Sequence, residues 1–264
     1  MMTKIAADHP IFQSETYLKD RTAFYYMVFN RTLPSTQHAS DGKHYVISKP
    51  EGHYPTWIWD DDDLDQKAIH DLVGDLKAMQ VQKLTCKQAL YDKLRPYFEC
   101  SGLFKMGAYY LSEVNDFCRA PGEMIVATPI YLNLVAQWWY EARIVMANVQ
   151  EVSKTAARQE AKDLIASGNL YLWLDQDQCP CCMAHIQKCG DLVKFGHVFT
   201  AKEKRQKGYA KALIASLSED CIAKAYCPVL YTDLAYPASN KAYEKVGFQL
   251  SHILNHVSIR EETV

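Results

Sequence analysis

The stretch "VFTAKEKRQKGYAKALIASL", Val198 to Leu217, concentrates the residue types best suited to chemistry. A strand ends at Thr200, and a basic turn leads to "RQKGYA", which opens an amphipathic helix. Gly208 lets the backbone come close to a ligand, and small Ala210 leaves room beside it. The first N–H groups of a helix have no intrahelical partner. Together with the helix dipole they suit a pyrophosphate. Lys202, Lys204, Arg205, Lys207 and Lys211 crowd this turn, although the net charge of the chain is −2. Downstream, "LYTDLAYPASNKAYEKVGFQL" (Leu230 to Leu250) reads as strand, turn, short helix, Gly stop and strand. It places Asn240 and Tyr243 one helical turn apart.

The surrounding elements must position these residues. "ATPIYLNLVAQWWYEARIV" reads as a helix with Thr128 as N-cap and Pro129 at its first position. "SKTAARQEAKDLIASG" is a second helix, capped by Ser153 and stopped by Gly168. Three strand-like runs follow, at Leu170 to Leu174, Pro180 to Gln187 and Leu192 to Thr200. Then come the helix from Gly208, a strand from Val229 to Leu234, the short helix ending at Gly247, and a last strand from Phe248 to Ile259.

Upstream, "CRAPGEMI" (Cys118 to Ile125) is the best linker. Before it, "AFYYMVF", "HYVIS", "TWIWD" and "KMGAYYL" read as strands. "DDLDQKAIHDLVGDLKAM" has helical spacing, and "TCKQALYDKLRPYF" reads as a helix with Thr85 as N-cap. Residues 1–120 are therefore expected to form a small α+β domain, and residues 123–264 a second domain.

The order of elements after the linker and the pair R-x-x-G-x-A and N-x-x-Y-x-x-x-G-F resemble the GNAT superfamily of acyl-CoA-dependent N-acetyltransferases. "LYTDLAYPASNKAYEKVGF" is similar to a bacterial subgroup with an extra N-terminal domain. The resemblance implies an α+β fold, with a GNAT-type mixed, twisted sheet, flanking helices and a smaller α+β domain in front. It implies acetyl-CoA as co-substrate, with Val198, Phe199 and Thr200 along the pantetheine arm. Arg205, Gln206, Lys207, Gly208, Tyr209, Ala210 and Lys211 would wrap the pyrophosphate. Asn240 would bond the pantetheine region, and Tyr243 would stand near the thioester sulfur. Ala210 stands where many members have a second Gly. The acceptor would be a primary amine of a small molecule or peptide, and a homodimer is compatible with the family.

Acyl transfer to an amine needs a free-base nucleophile, a stabilised oxyanion and a protonated leaving thiol. An alkyl ammonium has a pKa near ~10, so a base or water relay must remove its proton. Strand N–H groups near Val198 could hold the oxyanion. A thiolate of pKa about 8.5 takes a proton from a tyrosine of about 10 at a cost of roughly 2 kcal/mol. For the base, Asp233 and His197 both stay open. Each also has a plain structural role available, as a turn cap or as a half-buried strand histidine.

Composition narrows the field. A net charge of −2 gives no global pull toward nucleic acid or an anionic membrane. "YLNLVAQWWYEARIV" is too short and interrupted to span a bilayer. "MMTKIAADHPIF" lacks a signal-peptide pattern, and nine cysteines is an odd number, so a cytoplasmic protein with reduced thiols is expected. "CPCCMAHIQKC" (Cys179 to Cys189) could suggest zinc or redox chemistry. Cys179 and Cys182 make one C-x-x-C without a matched second pair, so small apolar strand residues and no metal are expected. "DDDDLD" (Asp60 to Asp65) lacks the Gly and distal Glu of a calcium loop and reads as helix capping. Trp138 and Trp139 lie on the helix that borders the acceptor site in GNAT proteins; core packing is their first reading. An acyl-CoA sensor without turnover is the rival function; Asn240 together with Tyr243 argues for turnover.

Overall fold

The computed structural model describes residues 3–147 and 153–260. The chain divides into two units, Met1–Tyr110 with Tyr231–Asn240 and Leu250–Val264, and Leu111–Leu230 with Lys241–Gln249. Among the described residues, no helix is long and apolar enough to cross a membrane.

In the first unit the order is β1 (Thr3–Lys4), α1 (Glu15–Asp20), α2 (Tyr25–Asn30), β2 (Gln37–Ser40), β3 (Tyr45–Lys49) and β4 (Thr56–Asp60). It continues with α3 (Gln66–Ala78), β5 (Lys83–Lys87), α4 (Gln88–Leu94) and β6 (Glu99–Tyr110). The sheet runs β1-β2-β3-β4-β5-β12-β6, so the last strand of the chain, β12 (Gln249–Arg260), is inserted beside β5. Pairing is antiparallel from β1 to β4, parallel between β4 and β5 across helix α3, and antiparallel between β5 and β12. Alternation along β4 sends Ile58 to a core with Leu72, Leu76 and Leu84, and Trp57 and Trp59 to another with Phe12, Phe24 and Met27. Both faces of this sheet are therefore covered.

Two expectations fail here. "AFYYMVF" is helix α2, not a strand. Its aromatic residues favour strands in isolation, but Phe24 and Met27 join one core, and Tyr25 stacks on Phe29 one turn later, so packing overrides propensity. Thr85 is not an N-cap: it lies in β5, fully buried, with Oγ1 3.0 Å from His256 Nδ1, and the helix begins only at Gln88. The acidic run reads as expected at its end, where Asp65 accepts the N–H of Ala68 and caps α3.

The second unit contains β7 (Glu123–Val126), α5 (Leu132–Ala147), α6 (Lys154–Ala166), β8 (Leu170–Leu174), β9 (Pro180–Cys189), β10 (Leu192–Thr200), α7 (Tyr209–Ile222) and most of β11 (Cys227–Asp233). Its sheet runs β7-β8-β9-β10-β11. The first four strands are antiparallel, and β10 and β11 are parallel across helix α7. Strand β7, which overlaps the end of the expected linker, pairs with β8. Ser153 caps α6 through the N–H of Ala156, and Gly168 follows it with φ +67°. Met183 and Phe199 pack with Leu170, Leu172, Trp138 and Trp139 under α5 and α6. Cys182, Ala184 and Ile186 between them are equally buried, and α7 packs on β8, β9 and β10. Helix α8 (Pro237–Val246) is divided between the units, with residues 237–240 in the first and 241–246 in the second.

Candidate active site

Two local irregularities single out β10. Gly196 pairs with His185 and Phe199 with Met183, so His197 and Val198 stand opposite Ala184 alone. This is a β-bulge, and His197 absorbs it with φ +53°. The parallel ladder to β11 also stops early, at Phe195 and Leu230. From Gly196 to Thr200 the β11-facing edge thus leaves that ladder, and its backbone groups suit an extended amide-bearing arm.

The turn after β10 carries the second feature. Gln206 has φ +63° and Gly208 φ +85°, and Gly208 is the N-cap of α7. Left-handed residues curl a loop so that successive N–H groups form an anion-binding concavity. The helix ladder starts with Ala212 N–H donating to Gly208, so the N–H groups of Tyr209, Ala210 and Lys211 precede it. Among the protein's own atoms an added Cβ at Gly208 would meet Ala120 Cβ at 3.7 Å, ordinary contact, and the φ of +85° is what requires glycine within the fold. Arg205 Nε donates to Thr200 O at 3.1 Å and tethers the loop to the strand. Val198 to Thr200 and Arg205 to Lys211 thus form one continuous stretch of the second unit.

Asn240 and Tyr243 sit on α8 three residues apart. Asn240 is buried; its Nδ2 donates to Asp233 O at 3.3 Å, and its Oδ1 has no partner among the described residues. An orphaned buried acceptor is uncommon and leaves Oδ1 free to accept a hydrogen bond from a donor outside the protein. Tyr243 is half-buried with its ring edge-on to Phe248 at 6.0 Å, and Phe248 meets Phe195 of β10 at 6.1 Å. Burial pushes its hydroxyl up to about 12, so it is a proton donor at neutral pH.

The two base candidates differ. Asp233 Oδ1 accepts the N–H of Ala235 at 2.7 Å, which is a turn cap. The His197 ring lies edge-on to Trp139 at 4.2 Å and 5.7 Å from His185. Burial, then the charges of Lys194, His185 and Arg143, lower its pKa to about 3. Burial and Lys194 lower His185 to about 4. Both rings are therefore neutral at pH 7. Sequence reasoning did not single out His185, Lys194 or Asp175. His185 becomes a neighbour of His197 only through the register of β9 and β10, whereas Lys194 lies three residues earlier on the same strand.

The cysteine strand is β9, with Cys181 and Cys182 fully buried and Cys179 exposed. Burial raises the Cys182 thiol beyond the usual range, and burial followed by the Asp175 carboxylate raises Cys181 to about 11. Such thiols are poor nucleophiles. Among the described residues, no three His, Cys, Asp or Glu side chains are grouped to hold a metal ion.

Residues 141–253 match the family model described as an acetyltransferase (GNAT) domain. No curated protein matches the chain. Among solved structures, a GNAT-family acetyltransferase from Colwellia psychrerythraea is 12% identical with TM-score 0.61, over 98% of this chain and 100% of that one. A GCN5-related N-acetyltransferase from Kribbella flavida is 11% identical with TM-score 0.56, over 94% and 96%. A tandem GNAT protein from the clavulanic acid biosynthesis pathway is 10% identical with TM-score 0.53, over 100% and 99%. At these identities the likeness is one of fold.

Proposed function

We propose that this chain, which carries a GNAT acetyltransferase domain over residues 141–253, moves the acetyl group of acetyl-CoA to a primary amine in a ternary complex. The observation that carries the reading is the continuity of bulge and loop: β10 leaves its ladder at Gly196 and runs directly into the left-handed loop at Gln206 and Gly208. The strand edge suits the pantetheine amides and the loop the pyrophosphate. Arg205, Lys207 and Lys211 add positive charge there.

In the reaction the amine nitrogen attacks the thioester carbonyl, and an N–H near Val198 meets the oxyanion. The C–S bond then breaks and the sulfur takes the proton of the Tyr243 hydroxyl. With Tyr243 at about 12 and an alkyl thiol at about 8.5, full transfer in advance would cost about 5 kcal/mol. The proton therefore moves as the bond breaks, when the surroundings that disfavour a tyrosinate disfavour a bare thiolate too. The amine binds neutral, and the proton it releases after attack leaves through water. His197, neutral and with its pKa lowered to about 3, accepts a hydrogen bond from the amine and orients it, but is too weak a base to carry the proton itself. The Asp233 carboxylate is already engaged with Ala235 N–H, which leaves it second to His197 as the amine's hydrogen-bond partner.

The test is calorimetric titration with acetyl-CoA on the parent and on Gly208→Glu, followed by release of CoA thiol across a panel of amines, peptides and aminoglycosides. Gly208→Glu strains a position at φ +85° and brings negative charge to the phosphates. Its affinity should fall at least tenfold. Equal affinity refutes the loop assignment, and binding without turnover on any amine favours a sensor.

A further inference from the structure

Asp175 follows β8, and each of its carboxylate oxygens serves two donors. Oδ1 accepts the N–H groups of Asp177 at 3.1 Å and Cys179 at 3.0 Å, which builds the β8–β9 turn. Oδ2 accepts Lys204 Nζ at 2.6 Å and the Cys181 thiol at 3.5 Å. The side chain is 9% exposed, against 23% for Lys204. Lys204, then the Cys179 N–H, hold the carboxyl down to about 2, so it is charged throughout the working range. Lys204 ends the single 3-10 turn Lys202–Lys204, immediately before Arg205.

The five cations around the loop are therefore not equivalent. Lys204 is committed to a carboxylate of its own protein, and the loop is pinned at two points, through Lys204 to the β8–β9 turn and through Arg205 to Thr200. The entry is also held by Ala201 N–H, which donates to Cys181 O at 3.1 Å, and by the Arg205 guanidinium over the Phe199 ring, but Lys204–Asp175 is the charged tie to the β8–β9 turn. If the loop must be ordered on binding, that ordering subtracts from affinity.

We propose that Asp175 is a positioning residue for the acyl-CoA loop, acting through Lys204, and that Lys204 anchors the loop instead of binding phosphate. This rests on the reading that the loop holds the pyrophosphate. Asp175→Asn keeps the shape and removes the charge; Lys204→Met removes the partner at a partly exposed position and leaves the β8–β9 turn intact. Acetyl-CoA affinity of the full chain is measured by calorimetry at several salt concentrations, with Lys207→Met and Lys211→Met as comparisons.

Each of the two anchor variants should weaken binding on the order of tenfold, and the double variant should be no worse than either alone, because the two act as one unit. The salt dependence of binding should stay that of the parent, since no phosphate contact is lost. In Lys207→Met or Lys211→Met it should become shallower. With an acceptor found, KM for acetyl-CoA rises while kcat changes less than about twofold. A shallower salt dependence in Lys204→Met makes Lys204 a direct phosphate ligand and overturns the proposal, as does Asp175→Asn binding like the parent while Gly208→Glu does not. If Gly208→Glu also binds normally, the loop reading itself has failed.

Discussion

His197→Asn separates a buried neutral imidazole from an ordinary surface one. His197 occupies the bulge with φ +53°, a conformation that Asn tolerates better than most residues. Its pKa is lowered from 6.5 to about 3, first by burial and then by Lys194, His185 and Arg143. Between those two values the unfolded chain binds a proton that the folded chain refuses. The free energy of unfolding therefore falls as pH drops below about 6.5 and is insensitive to this group above that. At pH 5, 1.5 units below the unfolded value, the loss from this one ring is about 2 kcal/mol. The variant loses the edge contact to Trp139 and is less stable at pH 7, but its further loss on acidification is smaller. Urea unfolding followed by tryptophan fluorescence at pH 7 and pH 5 gives both numbers. The parent should lose about 2 kcal/mol more than His197→Asn across that interval. If the two lose the same, the ring is not held neutral, and the argument about its basicity falls with it.

Tyr243→Phe keeps the packing against Phe248 and removes the proton donor; kcat should fall on the order of 10²-fold in steady-state assays with acetyl-CoA affinity unchanged, and an unchanged kcat would hand the leaving-group proton to water. Calorimetry should find one acetyl-CoA per chain. The first unit has the same strand, helix and parallel strand over β4, α3 and β5, but the turn before its helix carries Asp61, Asp62, Asp63 and Asp65 where the other carries bases; two equivalents would contradict this. Lys87→Met leaves the buried Asp20 without the ammonium 2.7 Å away and frees Asp62 and the Asp60 carbonyl, so thermal unfolding should show a loss of about 3 kcal/mol; a loss under about 1 would mean that water reaches the site.

Local chemistry made the loop legible. A glycine at a helix start, a crowd of lysines and a capped amphipathic pattern act over a few residues, so the sequence places the strand at Leu192 to Thr200, the helix from Gly208 and the pair Asn240 and Tyr243. The same holds for the caps at Ser153 and Asp65. Sequence reasoning stumbled where long-range packing opposes local preference. "AFYYMVF" satisfies strand propensity, yet its aromatic residues gain more by packing as a helix against Trp57 and Trp59. Thr85 looks like a cap, but its neighbours are set by strands from 28 residues before and 171 after it, at Trp57 and His256.

What tertiary structure alone decided is register and destination. The bulge at His197 and Val198 exists because β9 offers only Ala184 opposite them, and no property of "FGHVF" announces that mismatch. The Asp175–Lys204 pair joins residues 29 apart, and the depressed histidines follow from a fold that buries them beside Lys194. The last strand reads as a strand from its alternation, but alternation specifies faces and not partners. Its place beside β5 is fixed by which apolar surface Leu254, Val257 and Ile259 can bury, and that surface is built by the beginning of the chain.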